Sequence, residues 1–260
     1  MWDVVKIVDN NQINYMELQE FIRRIDTSVD GRRFYEKIRP KEDGTEERIA
    51  CYPSVTTKID EVYPKDAFFI QWVREQGLGG QAIFEKAGDD GTEVHIAIDR
   101  LINGEQVLTV SDGYEMPLKV KRCIQAFIDW VKEFKPEFIS SEKMLWNDEY
   151  KFAGTRDLLC KLNYTKGKTK YEGVYVVDYK TSNSIQEKHK VQVAAYWACG
   201  DATDKAALLH LGNRTNAGYS FLEFNPQEAF ELFKHHNKTF EMMYPNAEPK
   251  IEIYPDFFKL

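Results

Sequence analysis

A short apolar run that ends in two charged residues limits the possible folds more strongly than any other part of this sequence. Residues 174–177 are valine and tyrosine, so we predict a β-strand over residues 172–181. Side chains of a strand alternate between its two faces, and Asp178 and Lys180 therefore point the same way. Alone, such a pair is typical of a salt bridge at a domain rim, which contributes little stability. The residues around this pair in the sequence indicate instead that it belongs to a functional site.

Acidic residues also lie on the two elements before this strand. We predict one strand over residues 150–162, which carries Asp157, and another over residues 138–146, which carries Glu142. Gly154 lies just before Asp157, where a small residue lets a backbone or a ligand come close. The predicted sheet therefore brings three carboxylates and one lysine together.

A predicted helix over residues 186–199 follows the strand that carries the lysine. Gln192 and Tyr196 are four residues apart, so they share one face of this helix. Divalent cations such as Mg²⁺ prefer carboxylate oxygens and keep several waters for substrate phosphates. A nearby lysine can position or deprotonate an attacking water. These residue types together predict hydrolysis of phosphodiester bonds, in which a metal stabilises the attacking and leaving oxygens.

The order of these motifs resembles that of the RecB-type branch of the PD-(D/E)XK nucleases. That branch includes CRISPR-associated exonucleases, mitochondrial genome-maintenance exonucleases and phage-encoded relatives. The resemblance extends from about residue 33 to about residue 224, and it lies in the order and spacing of the motifs together. The segments that carry it are Pro53-Ser54-Val55-Thr56, Gly91-x-x-x-His95, Glu142, Gly154-Thr155-x-Asp157, Asp178-x-Lys180-Thr181 and Gln192-x-x-x-Tyr196.

The resemblance implies a fold and a set of metal ligands. The expected fold is α/β and restriction-endonuclease-like, with a mixed central sheet flanked by helices. We expect a single nuclease-like domain over residues 1–260, in which residues 1–50 form a strand or hairpin extension. Asp157 and Asp178 would hold the metal, with the Tyr179 carbonyl as a further ligand. His95 would complete the shell of a second metal, although a lone histidine on an apolar helix is otherwise a core residue.

The resemblance also implies catalytic roles for four side chains. Glu142 would orient a water held by the metal, and Lys180 would align or activate the nucleophile. Gln192 and Tyr196 would position the lysine or the DNA backbone. The activity implied is that of a metal-dependent DNA exonuclease that favours single-stranded DNA or strand ends.

Three other functions remain open. They are a DNA-binding module of the same fold without catalysis, a structure-specific endonuclease, and a hydrolase of small phosphate esters. The intact Asp157, Asp178 and Lys180 disfavour the first, and the lack of a phosphate-cradling loop disfavours the last. Helicase motifs are also missing, so unwinding would need a helicase or recombination partner.

The expected cofactor is Mg²⁺, because most of the ligands are carboxylates. Mn²⁺ is the other candidate, because a histidine ligand suits a transition metal better than Mg²⁺. Several relatives hold an iron–sulfur cluster through one early cysteine and a later trio. The cysteines of this chain lack that grouping, so we predict no cluster. They are Cys51, Cys123, Cys160 and Cys199.

The bulk composition is that of a globular protein, with 43% hydrophobic and 30% charged residues. The sequence has no run of about 18 apolar residues, so we expect no membrane span. A net charge of −7 disfavours a non-specific nucleic-acid coat protein. It does not disfavour a nuclease, whose carboxylates hold metal. The scattered cysteines are typical of a reducing cytoplasm. With the phage-like resemblance, they predict a cytoplasmic protein of bacterial or phage origin.

The first part of the chain predicts supporting structure. We predict a strand over residues 4–8, a helix over residues 15–25 and a β-hairpin around the turn at Asp43 and Gly44. Ser54 either caps the helix that follows it or contacts a DNA phosphate together with the threonines after it.

Basic and aromatic residues offer further DNA contacts. Each basic group is either a phosphate contact or a solvated face, and the groups are Arg23 with Arg24, Arg32 with Arg33, and Lys119 with Lys121 and Arg122. Three aromatic residues near the site either stack on bases or belong to the core, and these are Trp146, Tyr150 and Phe152.

Overall fold

The computed structural model describes residues 4–9, 12–17, 19–25, 28–64, 67–111, 113–200, 203 and 205–251. These residues form twelve strands and six helices, so the protein is of the mixed α/β class. The strands are β1 (Val4–Asp9), β2 (Gln12–Glu17), β3 (Phe21–Ile25), β4 (Phe34–Pro40), β5 (Glu46–Pro53), β6 (Val110–Ser111), β7 (Tyr114–Glu115), β8 (Glu137–Asn147), β9 (Phe152–Lys166), β10 (Thr169–Lys180), β11 (Lys205–Leu211) and β12 (Tyr219–Phe224). The helices are α1 (Val55–Val62), α2 (Ala67–Gln76), α3 (Leu78–Ile102), α4 (Leu118–Phe134), α5 (Glu187–Trp197) and α6 (Pro226–Met243).

The chain divides into two compact units. The first comprises Met1–Glu61, Met144–Gly154 and Asn237–Leu260, and the second comprises Val62–Lys143 and Thr155–His236. Every residue predicted to act in catalysis or metal binding belongs to the second unit. That residues 1–260 form one nuclease-like domain stays a prediction. No helix in the described part of the chain is both long and apolar enough to cross a lipid bilayer.

A five-stranded mixed sheet, in the order β12-β11-β10-β9-β8, organises the second unit. Strand β10 pairs antiparallel with β9 and parallel with β11, and β11 pairs antiparallel with β12. The prediction of a mixed sheet is therefore confirmed. Strand β10 is the middle strand. Its C-terminal end, where Asp178 and Lys180 lie, pairs with β11, whereas its pairing with β9 ends at Val177.

The main core lies on one face of this sheet and sets the direction of the site residues. Apolar side chains recur at helical spacing along α4, so one side of this helix is buried. The ring of Phe127 on α4 packs edge-on against the ring of Tyr179, with 5.7 Å between the ring centres. Burying a side chain such as Phe127 contributes about 2 to 3 kcal/mol. Since Tyr179 faces α4, strand alternation directs Asp178 and Lys180 to the opposite face, where α5 packs.

The first unit contains an antiparallel sheet of order β3-β4-β5. The predicted hairpin is confirmed, because β4 and β5 pair across a turn in which Gly44 has φ of 80°. The predicted strand at residues 4–8 is confirmed as β1. The predicted helix over residues 15–25 is wrong. That segment ends β2 and then forms β3, because pairing of β3 with β4 outweighs a weak helical period.

Burial decides the alternatives left open for Ser54 and Phe152, whereas Trp146 and Tyr150 are only partly buried and their stacking on bases stays a prediction. Ser54 is buried, and its Oγ accepts the Thr57 amide hydrogen at 2.9 Å, so it caps α1. Phe152 is fully buried and belongs to the core. Trp146 packs against a small apolar cluster of the first unit, and Lys37 Nζ lies 5.3 Å from its ring.

One basic residue in each of the three groups singled out in the sequence is paired with an acid. Arg23 Nε donates to Glu36 at 2.7 Å, and Arg32 Nε donates to Glu61 at 2.9 Å. Lys121 Nζ donates to Glu115 at 2.8 Å. These ion pairs favour the solvated-face alternative for each of the three groups.

Candidate metal-binding active site

Three side chains from different elements form a compact group of donor atoms. His95 comes from α3, Glu142 from β8 and Asp157 from β9, and their donor atoms all lie within 4.8 Å of one another. His95 Nδ1 lies 3.4 Å from Glu142 Oε1 and 3.4 Å from Asp157 Oδ1. We call these three residues the ligand cluster.

Helix α3 places His95 near the end of β10, because the helix packs closely against this end of the strand. Gly91 lies one turn before His95 on the same helix face, and a Cβ atom there would be 3.4 Å from Thr181 Oγ1. A side chain at this position would thus be in van der Waals contact with Thr181, which shows how closely α3 approaches the end of β10. The imidazole ring also packs edge-on against Tyr179, with ring centres 5.4 Å apart. These contacts hold the histidine over the strand end.

Glu142 reaches the ligand cluster through an unusual backbone conformation. Its φ of 43° lies in the left-handed region, which strand residues rarely adopt. Such a conformation costs about 1 to 2 kcal/mol for a residue with a Cβ atom. It breaks the regular alternation of β8 and redirects the side chain. Glu142 Oε1 is buried, and no described group hydrogen-bonds to it.

Asp157 lies where β9 leaves its pairing with β10. Its Oδ2 accepts the Tyr179 amide hydrogen at 2.7 Å, which fixes the carboxylate beside β10. Burial by itself raises the pKa of Asp157, but the neighbouring charges of His95 and Lys180 outweigh burial and hold the pKa below its usual range. The carboxylate therefore stays ionised, as a metal ligand must.

His95 shows how strongly the ligand cluster favours positive charge. Burial lowers the pKa of this imidazole, but the carboxylates of Asp157 and Glu142 outweigh burial and raise the pKa to about 10. The acidic side chains thus stabilise a cation between them. A divalent cation bound at the same place would be stabilised by the same charges.

Lys180 belongs to a second group of side chains. Its Nζ lies 2.6 Å from Asp178 Oδ2 and donates to Gln192 Oε1 at 3.1 Å. Gln192 Nε2 donates to Asp178 Oδ1 at 3.2 Å and to the Tyr196 hydroxyl at 3.3 Å. We call these four residues the Lys180 network. The helical spacing of Gln192 and Tyr196 therefore serves to hold the lysine.

Asp178 is the buried end of this network. Its side chain is only 1% exposed, whereas that of Lys180 is 16% exposed. Burial and the nearby charge of Asp157 raise the pKa of Asp178 to about 7, against the opposing effect of Lys180 and His95. The network thus combines a buried carboxyl group with an ammonium group that reaches solvent.

The residues singled out in the sequence therefore meet in two adjoining groups. The Tyr179 amide connects them, because it donates to Asp157 from between Asp178 and Lys180. Glu142, predicted to orient a water, lies among the potential ligands, and Asp178, predicted to bind metal, hydrogen-bonds within the Lys180 network. That Asp178 and the Tyr179 carbonyl bind metal stays a prediction.

Sequence reasoning missed several residues that support the site. Arg156, only 1% exposed, donates from Nη2 to Ser140 Oγ at 2.9 Å and so links β9 to β8, the strands that carry Asp157 and Glu142. His189 caps α5 with Gln186, and the spacing of these two residues resembles a capping box and was a usable signal. His210 lies opposite Lys180 across the β10–β11 pairing, and no local pattern reveals that register.

No protein-family model matches this sequence, and a search of curated proteins finds no significant match. The geometry of the two groups of side chains is therefore the basis for a functional assignment.

Proposed function

We propose that this protein is a metal-dependent deoxyribonuclease of the restriction-endonuclease-like kind, and that it acts as an exonuclease on single-stranded DNA or strand ends. The observation that carries the proposal is the placement of Lys180. Its ammonium group is held by Asp178 and Gln192 at the end of the strand whose Tyr179 amide binds Asp157 of the ligand cluster.

The ligand cluster fits a divalent cation. It offers one imidazole nitrogen and two carboxylates, a donor set that suits Mg²⁺ or Mn²⁺. Glu142 Oε1 is buried and makes no regular hydrogen bond in the described part of the chain. The nearby His95 Nδ1 lies 3.4 Å from it, so a cation bound between the two would satisfy this oxygen. When bound, such a metal would supply Lewis-acid stabilisation of phosphate oxygens.

The protein's own side chains would then orient the reactants. Lys180, partly exposed, would hold a water by hydrogen bonding and offset the negative charge that develops on the phosphate. Gln192 and Tyr196 would keep the lysine in place, because Gln192 bonds to both. Asp178 would hold the ammonium group in place through the 2.6 Å contact between them.

The choice of DNA and of exonucleolytic cutting is supported by the resemblance of the motif order. Glu142, Asp157 and Lys180 lie on the successive strands β8, β9 and β10, and Gln192 lies on the helix that follows. This succession of elements supports the restriction-endonuclease-like fold.

The decisive experiment compares cleavage of end-labelled DNA, single-stranded and double-stranded, linear and circular, in Mg²⁺, Mn²⁺ or EDTA. Lys180→Ala and Asp178→Ala test the site. Lys170→Ala is a matched control, because Lys170 is an exposed lysine at the other end of the same strand. We expect metal-dependent loss of linear DNA, at least about 100-fold slower in both site variants and unchanged in the control.

The other outcomes redirect the proposal. Cleavage of circular DNA would keep the site and make the enzyme an endonuclease. DNA binding without cleavage in any metal would instead favour the non-catalytic binding module.

A further inference from the structure

Two histidines hold the loop that joins Lys180 to the helix carrying Gln192. This loop covers residues 181–186, between the end of β10 and the start of α5. His210 lies on β11, directly opposite Lys180 in the parallel register. Its Nε2 atom lies 2.6 Å from the carbonyl oxygen of Ser182, two residues after Lys180. The imidazole is 8% exposed, so the histidine side of this hydrogen bond is buried, although Ser182 lies at the surface.

The other end of the loop is held by His189. The Gln186 amide hydrogen is donated to His189 Nδ1 at 3.2 Å, and the Gln186 side chain accepts the amide hydrogen of His189. This reciprocal cap fixes the first turn of α5. Gln192 lies three residues after His189 on the same helix, so the cap also fixes the position of the Gln192 backbone.

The partner atoms determine where the protons lie. A carbonyl oxygen only accepts hydrogen bonds, so His210 Nε2 carries a hydrogen. A backbone amide only donates, so His189 Nδ1 carries none. Burial and the charges of Lys180 and Lys188 lower the pKa of His189 to about 3, which keeps this imidazole neutral.

Little else in the loop itself is buried. Ser182, Asn183 and Ser184 are exposed, and the Ser182 hydroxyl bonds only locally, to the Ser184 carbonyl at 2.8 Å. The loop therefore depends on contacts at its two ends for a fixed path. The loop connects the strand that bears Lys180 to the helix that bears Gln192. A shift of the loop would therefore move these two side chains relative to each other.

We propose that His210 and His189 are positioning residues that hold Lys180 against Gln192 through the loop of residues 181–186. Neither histidine is proposed to touch the substrate. The effect on cleavage rests on the proposed nuclease function, whereas the effect on the position of Lys180 does not. We name the two histidines the loop clamp.

The first test replaces the clamp and measures cleavage. His210→Leu removes the donor and keeps an apolar side chain, and His210→Gln restores an N–H donor. We expect His210→Leu to lower kcat by about 10- to 100-fold, because small misplacements of a catalytic group have effects of this size. KM should stay within about 2-fold. His210→Gln should recover part of the rate, and His235→Leu, an exposed histidine on α6, should behave like wild type.

The second test needs no cleavage. Reductive methylation of the metal-free protein, followed by peptide mass spectrometry, reports how accessible each lysine is. We expect faster labelling of Lys180 in His210→Leu, with Lys170 as the internal reference. For His189→Leu, we expect faster hydrogen exchange at the Gln186 amide, which loses its acceptor.

The outcomes separate the two proposals. Wild-type kcat, labelling and exchange in the clamp variants would overturn the loop clamp and leave the nuclease proposal standing. If the wild-type protein cuts no DNA with any metal, the nuclease proposal fails, and labelling and exchange still decide the clamp. If His210→Leu does not fold, His189→Leu decides the clamp through the labelling of Lys180 and the exchange of the Gln186 amide.

Discussion

The ammonium group of Lys180 lies 2.6 Å from a carboxylate oxygen of Asp178, on the same face of one strand. The acid is buried and the lysine reaches solvent, so the pair lies at the boundary between core and water. Removing Lys180 would leave the buried carboxylate of Asp178 without a cation, and an unpaired buried carboxylate is strongly unfavourable. The pair therefore serves structure as well as the proposed chemistry.

Removing both members of this pair should destabilise the protein less than the two single changes predict. Lys180→Met leaves Asp178 without its cation, and Asp178→Asn leaves Lys180 without its anion. We expect a coupling free energy of about 1 to 3 kcal/mol. The measurement is denaturant unfolding of the two single variants, the double variant and wild type. Strict additivity would show that the two side chains do not interact in solution.

Metal affinity should depend on Glu142 more than on Asp178. Glu142→Gln keeps the shape of the side chain but removes a charged donor from the ligand cluster, so Mn²⁺ should bind at least about 10-fold more weakly. Asp178→Asn should have a smaller effect, because Asp178 hydrogen-bonds within the Lys180 network. Isothermal titration with Mn²⁺ measures both. Equal losses would instead make Asp178 a direct ligand.

Glu133 should stabilise the protein at neutral pH and lose this effect in acid. The side chains of Lys166, Tyr219 and Tyr164 donate to Glu133 and lower its pKa from 4.5 to about 2. A carboxyl group with a depressed folded pKa stabilises above its unfolded pKa, and the stabilisation disappears as the pH falls towards 2. The group is partly exposed, so we expect only about 1 kcal/mol at neutral pH.

The measurement compares the free energy of unfolding of wild type and Glu133→Gln from pH 7 to pH 2. The two curves should converge below pH 4.5. Glu137→Gln, at an exposed position nearby in the sequence, is the control and should follow wild type throughout. A Glu133→Gln difference that is constant with pH would contradict the prediction.

Lys58 should produce a second rise of stability with pH, in the alkaline range and in the first unit. It is 1% exposed, donates to Asn237 Oδ1 at 2.5 Å and to the Tyr150 carbonyl at 3.1 Å, and lies 3.5 Å from Glu241. Burial outweighs the effect of Glu241 and lowers the pKa of Lys58 from 10.5 to about 8. Between these values the unfolded chain binds more protons, so stability rises with pH.

Wild type should therefore gain about 2 to 3 kcal/mol relative to Lys58→Met as the pH rises from 8 to 10.5. Comparison with this variant cancels the titration of other groups. Unfolding at a series of pH values provides the measurement, and Lys41→Met is a control at an exposed lysine of the same unit. Parallel curves for wild type and Lys58→Met would show that the amine titrates normally.

Local patterns predicted the individual elements better than their arrangement. The strand predicted over residues 138–146 matches β8 to within one residue at each end, and the helix predicted over residues 186–199 matches α5 to within two residues. The helix predicted over residues 15–25 failed because strand pairing with β4 depends on residues distant in sequence. Local propensity contains no information about such partners.

The same distinction applies to the candidate site. Asp178 and Lys180 could be placed together because strand alternation is a local rule. The position of Glu142 beside His95 could not be predicted, since it depends on a left-handed backbone conformation within a strand. His210 was missed because only the register of β11 on β10 places it opposite Lys180.

The conformation of Glu142 has an evolutionary consequence. Glycine adopts positive φ freely, so Glu142→Gly would release about 1 kcal/mol of strain while it removes a carboxylate from the ligand cluster. Laboratory selection of this protein for heat resistance alone would favour that change, and selection for metal binding would oppose it. Position 142 is thus one at which stability and activity cannot be improved together.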